Sequence, residues 1–415
     1  MTRHRFEALM GVMDKGQSHL DAKFSLLKFS CISTLLLCPS ILGRTPLISC
    51  FKPYLQAKTH LNDMQLSLTY SIGTLLASFL VPYAVCMWGK QFSLRKIFQH
   101  TYCLLAGCFL CLIVLTAQPL PMPLTFLILC VIFTGIRLCG QGQLPLCIRT
   151  FTATLYDAKI CSWMASLHTT FLVLCAGVVT YLLAHYNAFY QWSWVWGGEV
   201  ICLLLITLCV PSKLPSMLSY GVKSVHKCIW GLKNFPSPFK WGLAIIALHN
   251  LQATAIAFHW SDFAIEKNIS LSDIYKLFLP IAILELIFNP LCSWLTHKIK
   301  FTAIHVLSVI LILCSTSIAC LPSLSGRCSI VILLALGWSF NHVLSYSLPA
   351  LLLPKEQMPL GFATLIGWTN LCSAIGPYLY SLLAFSNNSY MIANNYIIVL
   401  NMLMWIPIVS RKEAL

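Results

Sequence analysis

Long apolar runs, separated by short polar connections, fill most of the chain. A transmembrane helix needs about 20 consecutive apolar residues to cross the ~30 Å hydrocarbon layer. Runs such as VILLALGW are continuous and lack the polar–apolar alternation, about ten residues long, of a transmembrane β-strand. The pattern therefore predicts an all-α polytopic membrane protein with twelve transmembrane helices, in the spans 29–51, 66–88, 98–117, 122–147, 160–184, 191–210, 241–260, 274–296, 302–321, 328–353, 360–384 and 390–410.

Basic residues are concentrated on one side of this layout. Of the 27 Lys and Arg residues, 20 fall in the segments on the side of the N-terminus, four fall on the opposite side and three lie inside the spans. Cytoplasmic loops carry such an excess of Lys and Arg. We therefore expect both termini to be cytoplasmic, in a multi-pass protein of the inner (plasma) membrane.

Composition excludes most soluble classes. Apolar residues make up 58% of the chain and charged residues 9%, whereas a soluble chain carries roughly 25% charged residues. This chain has too few charges to cover a soluble globule, which excludes a soluble enzyme and a disordered chain. The net charge of +15 follows from the basic connections, so we interpret it as a determinant of topology and expect no nucleic-acid partner.

Motifs for cofactor chemistry are absent from the sequence. It contains no phosphate-binding G-x-x-x-x-G-K-[ST] loop, no dinucleotide-binding glycine motif after a strand, no H-E-x-x-H and no G-x-S-x-G. The 20 cysteines are scattered through the spans, and the one C-x-x-C, Cys108 to Cys111, lies in mid-span. We therefore expect no cofactor, no metal and no enzymatic activity.

A basic, proline-bounded stretch divides the spans into two groups of six. Two such groups are typical of transporters built from structural repeats. The predicted organisation is a cytoplasmic N-terminal segment at 1–28, an N-terminal six-helix bundle at 29–210, a cytoplasmic basic linker at 211–240, a C-terminal six-helix bundle at 241–410 and a cytoplasmic tail at 411–415.

A short basic loop follows the second span and resembles a known motif, usually written G-x-x-x-D-R-x-G-R-R. Gly89 stands at the position of the acid, Lys90 keeps the first basic position, and Arg95 with Lys96 supplies a basic pair two residues late. The fourth span contains GIRLCGQG, similar to a shortened R-x-x-x-G-x-G, and the eleventh contains the pair Gly376–Pro377.

With these motifs, the chain resembles the major facilitator superfamily, as a bacterial-type secondary transporter with a degenerate second-span loop. The resemblance implies two six-helix bundles that expose a central site to each side of the membrane in turn. It also implies conformational roles for the loop residues and for Gly376 and Pro377.

Ionisable side chains inside the spans are candidates for function because they are costly in a membrane. Arg44 ends a face of the first span that also carries serines, and it either faces the pathway or has a structural, snorkelling role. Arg137 shares a face of the fourth span with Gln141, and it either binds substrate or forms a latch between helices.

Glu285 is the only acid near the middle of a span, and Asn289 lies one turn further on. It could carry protons, because burial disfavours a charged carboxylate, or it could be the permanent partner of an arginine. Both interpretations stay open at this point.

Histidines and an amide add polar faces to the C-terminal bundle. His249, Gln252 and His259 lie on one side of the seventh span, and His342 lies in the tenth. Substrate contact through His249, Gln252 and His342, or hydrogen bonds between helices, would explain these faces.

We therefore predict a secondary active transporter of a small solute that works by alternating access. Two in-span arginines against one mid-span acid favour an anionic substrate, and Glu285 makes proton coupling the accompanying hypothesis. The expected partners are the solute, protons and the lipid bilayer, with the chain as a monomer. The alternatives are a non-transporting receptor or scaffold with the carrier fold, which the missing acid at Gly89 favours, and an intramembrane enzyme.

Overall fold

The computed structural model describes residues 30–91, 93–118, 120–156, 158–186, 191–210, 232–299, 322–354 and 357–399. Within these ranges the chain is almost entirely helical, and no strand occurs in them. The predicted N-terminal segment, most of the linker, the ninth span, the end of the twelfth span and the C-terminal tail lie outside the described residues.

The helices follow the predicted spans. In the N-terminal half they are Ser30–Thr59, Asp63–Gln91, Leu94–Ala117, the continuous series Met122–Ile136, Arg137–Gln143 and Leu144–Leu155, then Ala158–His185 and Trp192–Cys209. In the C-terminal half they are Ser237–Phe258, the short Trp260–Glu266 and Leu271–Lys276, then Phe278–Ile299, Leu324–Leu352, Met358–Asn387 and 390–399. Nine helices in the described part of the chain are long and apolar enough to cross a membrane. The chain is a multi-pass membrane protein.

Two helix-packing surfaces join the halves. The second span packs along the eleventh, and the fifth packs along the eighth and tenth. Within the halves, the second span packs on the fourth, the third on the sixth, the seventh on the eleventh and the eighth on the tenth. We call the side at which the first span ends at Thr59 the distal side and the opposite side the proximal side. The distribution of basic residues predicts that the proximal side is cytoplasmic.

Regular helix geometry breaks in the first and fourth spans, where they touch. Residues Cys38–Gly43 form a 3₁₀ segment, and Arg44 leaves the helix with an extended backbone (φ −80°, ψ 141°). Residues Arg137–Gln143 form a π-helical segment. This geometry is rare in proteins, and where it occurs it often lies at a functional site. A Cβ on Gly43 would lie 2.8 Å from the Cα of Gly140, so this close approach requires glycine. The break turns Arg44 toward the interface between the halves.

Candidate functional site: a central cavity and a closed distal end

A cavity lies between the two halves. Its volume is about 160 Å³, whereas a single water needs about 10–15 Å³ of such volume, so it has room for a small organic molecule. The N-terminal half contributes the first, fourth and fifth spans, and the C-terminal half contributes the seventh, eighth, tenth and eleventh. Both halves therefore shape one site, as alternating access requires.

The charged groups in the cavity wall are basic. Arg44 comes from the first span and Arg149 from the fourth, and no Asp or Glu is among the described residues that line the cavity. The sequence assigned Arg149 to the proximal connection because its apolar run ends at 147. The helix continues to Leu155, and Gln141, Pro145 and Arg149 recur every four residues on one face of it. This four-residue spacing was present in the sequence and would have indicated that Arg149 shares a helix face with Gln141.

Amides line the opposite wall. Asn250 donates from Nδ2 to the Oδ1 of Asn341 at 3.2 Å, which links the seventh and tenth spans beside the cavity. Asn370 of the eleventh span also lines it. The sequence does not distinguish these three residues, because an asparagine in a span has no charge that separates it from an ordinary packing residue.

Several buried polar groups in the wall lack a hydrogen-bond partner among the described residues. They are the hydroxyls of Ser40 and Thr180 and the Nδ2 of Asn370. A buried polar atom without a partner costs free energy, so native sites of this kind hold water or ligand. The amide nitrogen can only donate, and hydroxyls can also donate. The wall therefore offers donors to an occupant.

An aromatic pair closes another part of the wall. The rings of Phe278 and Trp338 are stacked, with centroids 6.2 Å apart and an angle of 16° between their planes. They give the cavity an apolar surface beside its basic and amide groups.

The structure brings three of the predicted binding residues to this cavity and leaves the other three outside it. Arg44, Gln141 and His342 line the wall. Arg137 is fully buried within the N-terminal half, where it donates from Nη1 to the carbonyl of Gly43 at 3.1 Å. It also lies over the ring of Tyr70. These are the contacts of the latch alternative, and a binding role for Arg137 stays a prediction.

The two predicted binding residues of the seventh span are buried. His249 is 2% exposed, and neither of its ring nitrogens has a hydrogen-bond partner among the described residues. Gln252 is 0% exposed. Neither lines the cavity, so their contact with substrate stays a prediction.

Glu285 is fully buried behind the cavity wall. Neither carboxylate oxygen has a hydrogen-bond partner among the described residues, and Arg44 is close enough to interact with it electrostatically. Asn289, one turn on, donates to Thr170 of the fifth span at 2.9 Å and joins the two halves there. Glu285 therefore shares Arg44 with the cavity.

The predicted conformational residues occupy two places. Gly89 and Lys90 lie near the end of the second helix, and beyond it Arg95 is half-buried while Lys96 is exposed. In the eleventh span, a Cβ on Gly376 would collide with the carbonyl oxygen of Leu251, so this glycine allows close packing on the seventh span. The carbonyl oxygen of Pro377 accepts a hydrogen bond from His259.

A cluster of charged groups joins the halves at the distal end. Lys52, whose side chain is 1% exposed, forms ion pairs with Asp63 of its own half and with Asp262 of the other half. His259, at the end of the seventh helix, lies 2.6 Å from Asp262 and 3.8 Å from Asp63. We call Lys52, Asp63, His259 and Asp262 the distal cluster.

Hydroxyl groups extend the distal cluster across the interface. Ser381 of the eleventh span donates to Asp63 at 2.8 Å and contacts Ser67 of the second span at 2.7 Å. Tyr390 also donates to Asp63, and Tyr275 donates to the carbonyl of Ser49 at 2.7 Å. The distal ends of the two halves are therefore held together by ion pairs and hydrogen bonds.

The distal cluster already contains its cation. Asp63, His259 and Asp262 have potential ligand atoms within 4.8 Å of one another, as a metal site would. The ammonium of Lys52 sits on both carboxylates, however, and fills the place of a metal ion. Among the described residues no other group of three such side chains comes together in this way.

The sequence matches no protein-family model and no curated protein. Solved structures do match the fold. The human organic anion transporter MFSD10 aligns with a TM-score of 0.66 and 12% identity over 91% of this chain and 98% of that chain. The nucleoside transporter NupG aligns with a TM-score of 0.64 and 13% identity over 91% of this chain and 97% of that chain. A bacterial homologue of the iron transporter ferroportin aligns with a TM-score of 0.62 and 14% identity over 92% of this chain and 100% of that chain. The chain has the major facilitator fold.

Proposed function

We propose that this protein is a secondary transporter that carries a small organic anion across the inner (plasma) membrane by alternating access. The observation that carries the proposal is the central cavity, because both halves line it and its charged wall residues are basic. Rocking of the halves would expose such a cavity to the two sides in turn. The proximal side, with both termini, is the cytoplasmic side in this proposal.

The wall favours an anion for an electrostatic reason. Arg44 and Arg149 place two guanidinium groups in the wall, and a guanidinium group is suited to charge-assisted hydrogen bonds with a carboxylate or phosphate. A carboxylate or phosphate ester would accept charge-assisted hydrogen bonds from these guanidinium groups and further hydrogen bonds from Ser40, Thr180 and Asn370. The stacked Phe278 and Trp338 fit an apolar part of the same molecule.

Glu285 gives a route to proton coupling. An ionised Glu285 competes with an anionic substrate for Arg44, because both would pair with the same guanidinium. Protonation of Glu285 releases Arg44 to the substrate. Proton and anion would then bind together and cross together, as in a symporter. If Glu285 stays ionised, it is a permanent partner of Arg44, and the protein is an exchanger or facilitator.

An uptake assay in proteoliposomes tests the substrate class. The purified chain would be offered panels of organic anions, neutral solutes and cations, with and without an imposed pH gradient. We expect uptake of an anion and about 10- to 100-fold weaker affinity in Arg44→Gln, the loss of one charge-assisted contact. Lys58→Gln removes an exposed cation as a control. Uptake of a cation, or unchanged affinity in Arg44→Gln, contradicts the proposal.

The variant Glu285→Gln mimics the protonated acid and tests coupling. A symporter with this change should lose accumulation driven by the pH gradient and retain substrate counterflow. A permanent partner of Arg44 should instead damage both, because the arginine is left unpaired. Asp273→Asn, at an exposed acid, is the control. Unchanged gradient-driven uptake would remove Glu285 from the mechanism.

A receptor or scaffold is the second candidate, favoured by the missing acid at Gly89 in the second-span loop. The same preparation decides between the two. Ligand-induced thermal stabilisation without uptake or counterflow of that ligand supports a receptor, whereas counterflow supports the transporter.

A reporter fused after Leu415 tests the orientation. We expect activity from a reporter that works only in the cytoplasm, because 20 of the 24 cations outside the spans predicted from the sequence fall on the side of the termini. Activity from a reporter that works only after export would overturn the orientation.

A further inference from the structure

His259 lies between two hydrogen-bond acceptors. It is 0% exposed and ends the seventh helix. Its Nε2 lies 2.8 Å from the carbonyl oxygen of Pro377, and its Nδ1 lies 2.6 Å from Oδ2 of Asp262. A backbone carbonyl can only accept a hydrogen bond. Nε2 must therefore carry a hydrogen.

The second nitrogen faces an ionised acid. The ammonium of Lys52 contacts the same Oδ2 of Asp262. A proton on that oxygen would oppose the ammonium, so Asp262 is an acceptor as well. A neutral imidazole has one N–H, whereas two acceptors at hydrogen-bond distance require two.

The charges of the distal cluster balance only with this proton. Lys52 and a protonated His259 offset Asp63 and Asp262, and the set is neutral. Without the proton, two carboxylates share one ammonium inside a buried interface, where uncompensated charge is costly. The other charged or titratable groups around the ring and its partners are Tyr380 of the eleventh span, Tyr390 of the twelfth, Tyr275 beside Asp262, and Glu266, which accepts from the backbone of Tyr390.

We propose that His259 is a proton-binding site, and that its proton completes the four-charge cluster that holds the distal ends of the two halves together. The site is separate from Glu285 and does not depend on the proposed substrate. Within each half one ion pair is complete, Lys52 with Asp63 and His259 with Asp262. Across the interface Lys52 pairs with Asp262, and His259 faces Asp63. When the halves separate, each half therefore keeps one complete ion pair and no charge of the cluster is left unpaired.

A neutral ring is the competing arrangement. The Nζ of Lys52 lies 3.2 Å from Nδ1, so a ring without the second proton could accept from the ammonium. That arrangement places the lone pair of Nδ1 against Oδ2 of Asp262 and leaves the cluster with one excess negative charge. The two arrangements differ in the number of protons on the ring.

Solid-state ¹⁵N NMR distinguishes a ring nitrogen that carries a proton from one that does not, so it counts the protons on His259. The full chain, labelled with ¹⁵N-histidine and reconstituted in lipid, would be measured by solid-state methods at neutral pH. The chain has 12 histidines, and His259→Gln identifies the signal by removing it. If that variant does not fold, Tyr390→Phe identifies the signal through its shift, because the two rings are 4.8 Å apart. We expect protons on both nitrogens of His259. A nitrogen without a proton overturns the proposal.

Two variants separate the arrangements further. Asp262→Asn removes the acceptor charge, so His259 should lose its second proton. Lys52→Met removes the competing cation, so His259 should keep both. A ring that is neutral in Lys52→Met contradicts the proposal. The signal of His249, a buried ring without partners among the described residues, serves as the internal reference in the same spectra.

Hydrogen exchange tests the effect on closure. His259→Gln leaves a neutral side chain and one excess negative charge, so backbone amides of the distal connections at 59–63 and 266–270 should exchange at least several-fold faster. Amides at the proximal ends should not change. His249→Gln is the matched control. Unchanged distal exchange in His259→Gln shows that the proton does not hold the distal end closed.

Discussion

Two regions between the halves contain basic residues, and they differ in the groups that lie beside those residues. In the distal cluster, the ammonium of Lys52 contacts two carboxylates, and hydroxyls surround them. In the central cavity, Arg44 and Arg149 line the wall and no acid among the described residues does. Paired charges join two surfaces in the distal cluster, whereas the basic wall surrounds the cavity that we propose binds the anion. The distal cluster thus joins the two halves, whereas the central cavity lies between them as the proposed binding site.

Removal of Lys52 should have the largest effect on this contrast. Lys52→Met leaves Asp63 and Asp262 facing each other with too little positive charge, and breaking a buried ion pair in this way costs about 3–5 kcal/mol. We expect a lower unfolding temperature and faster hydrogen exchange at the distal connections.

The double variant Lys52→Met with Asp262→Asn tests whether the loss of stability comes from the excess negative charge. It leaves Asp63 as the only acid of the distal cluster, so the repulsion between the two carboxylates disappears and part of the lost stability should return. Lys58→Met, on the exposed surface near the end of the same helix, is the control. If Lys52→Met is as stable as the control, the distal cluster does not hold the halves together.

Arg149→Gln should have a smaller effect, and it should lower the affinity for the anion rather than the stability of the distal end. Because Arg149 lines the cavity, its loss should weaken binding of the anion by about 10- to 100-fold, the value of one charge-assisted contact. Distal hydrogen exchange should not change. Affinity measured by counterflow in proteoliposomes, beside exchange in the same preparation, checks both. Faster distal exchange with unchanged affinity would reverse the roles of the two regions.

Ser381→Ala should have the smallest effect. It removes the hydrogen bonds to Asp63 and Ser67 and leaves every charge of the distal cluster in place. Since one such bond contributes about 1 kcal/mol, the population of the open distal end should rise about fivefold. Ser386→Ala is the matched control, because that hydroxyl bonds within its own helix. An effect as large as that of Lys52→Met would show that hydroxyls rather than charges carry the closure.

Residues near the ends of the spans show how far the sequence could predict the site. The apolar runs predicted the helices because hydrophobicity is a property of each segment, read without knowledge of its neighbours. Arg149 was placed in a connection, since an arginine ends an apolar run even where the helix continues. The predicted spans leave Lys52, Asp63 and Asp262 in connections on the distal side, but the sequence alone contains no reason to pair them.

The sequence by itself determined the membrane class, the helical spans that the structure describes and the excess of basic residues on one side, because each depends on local composition. Tertiary structure alone decided which charges meet. Lys52 and Asp262 are 210 positions apart, and Arg44 faces a cavity only because the first span breaks at Gly43 where it touches Gly140. Pairing depends on which helix faces pack together, and that packing is settled by the shapes of all the helices at once.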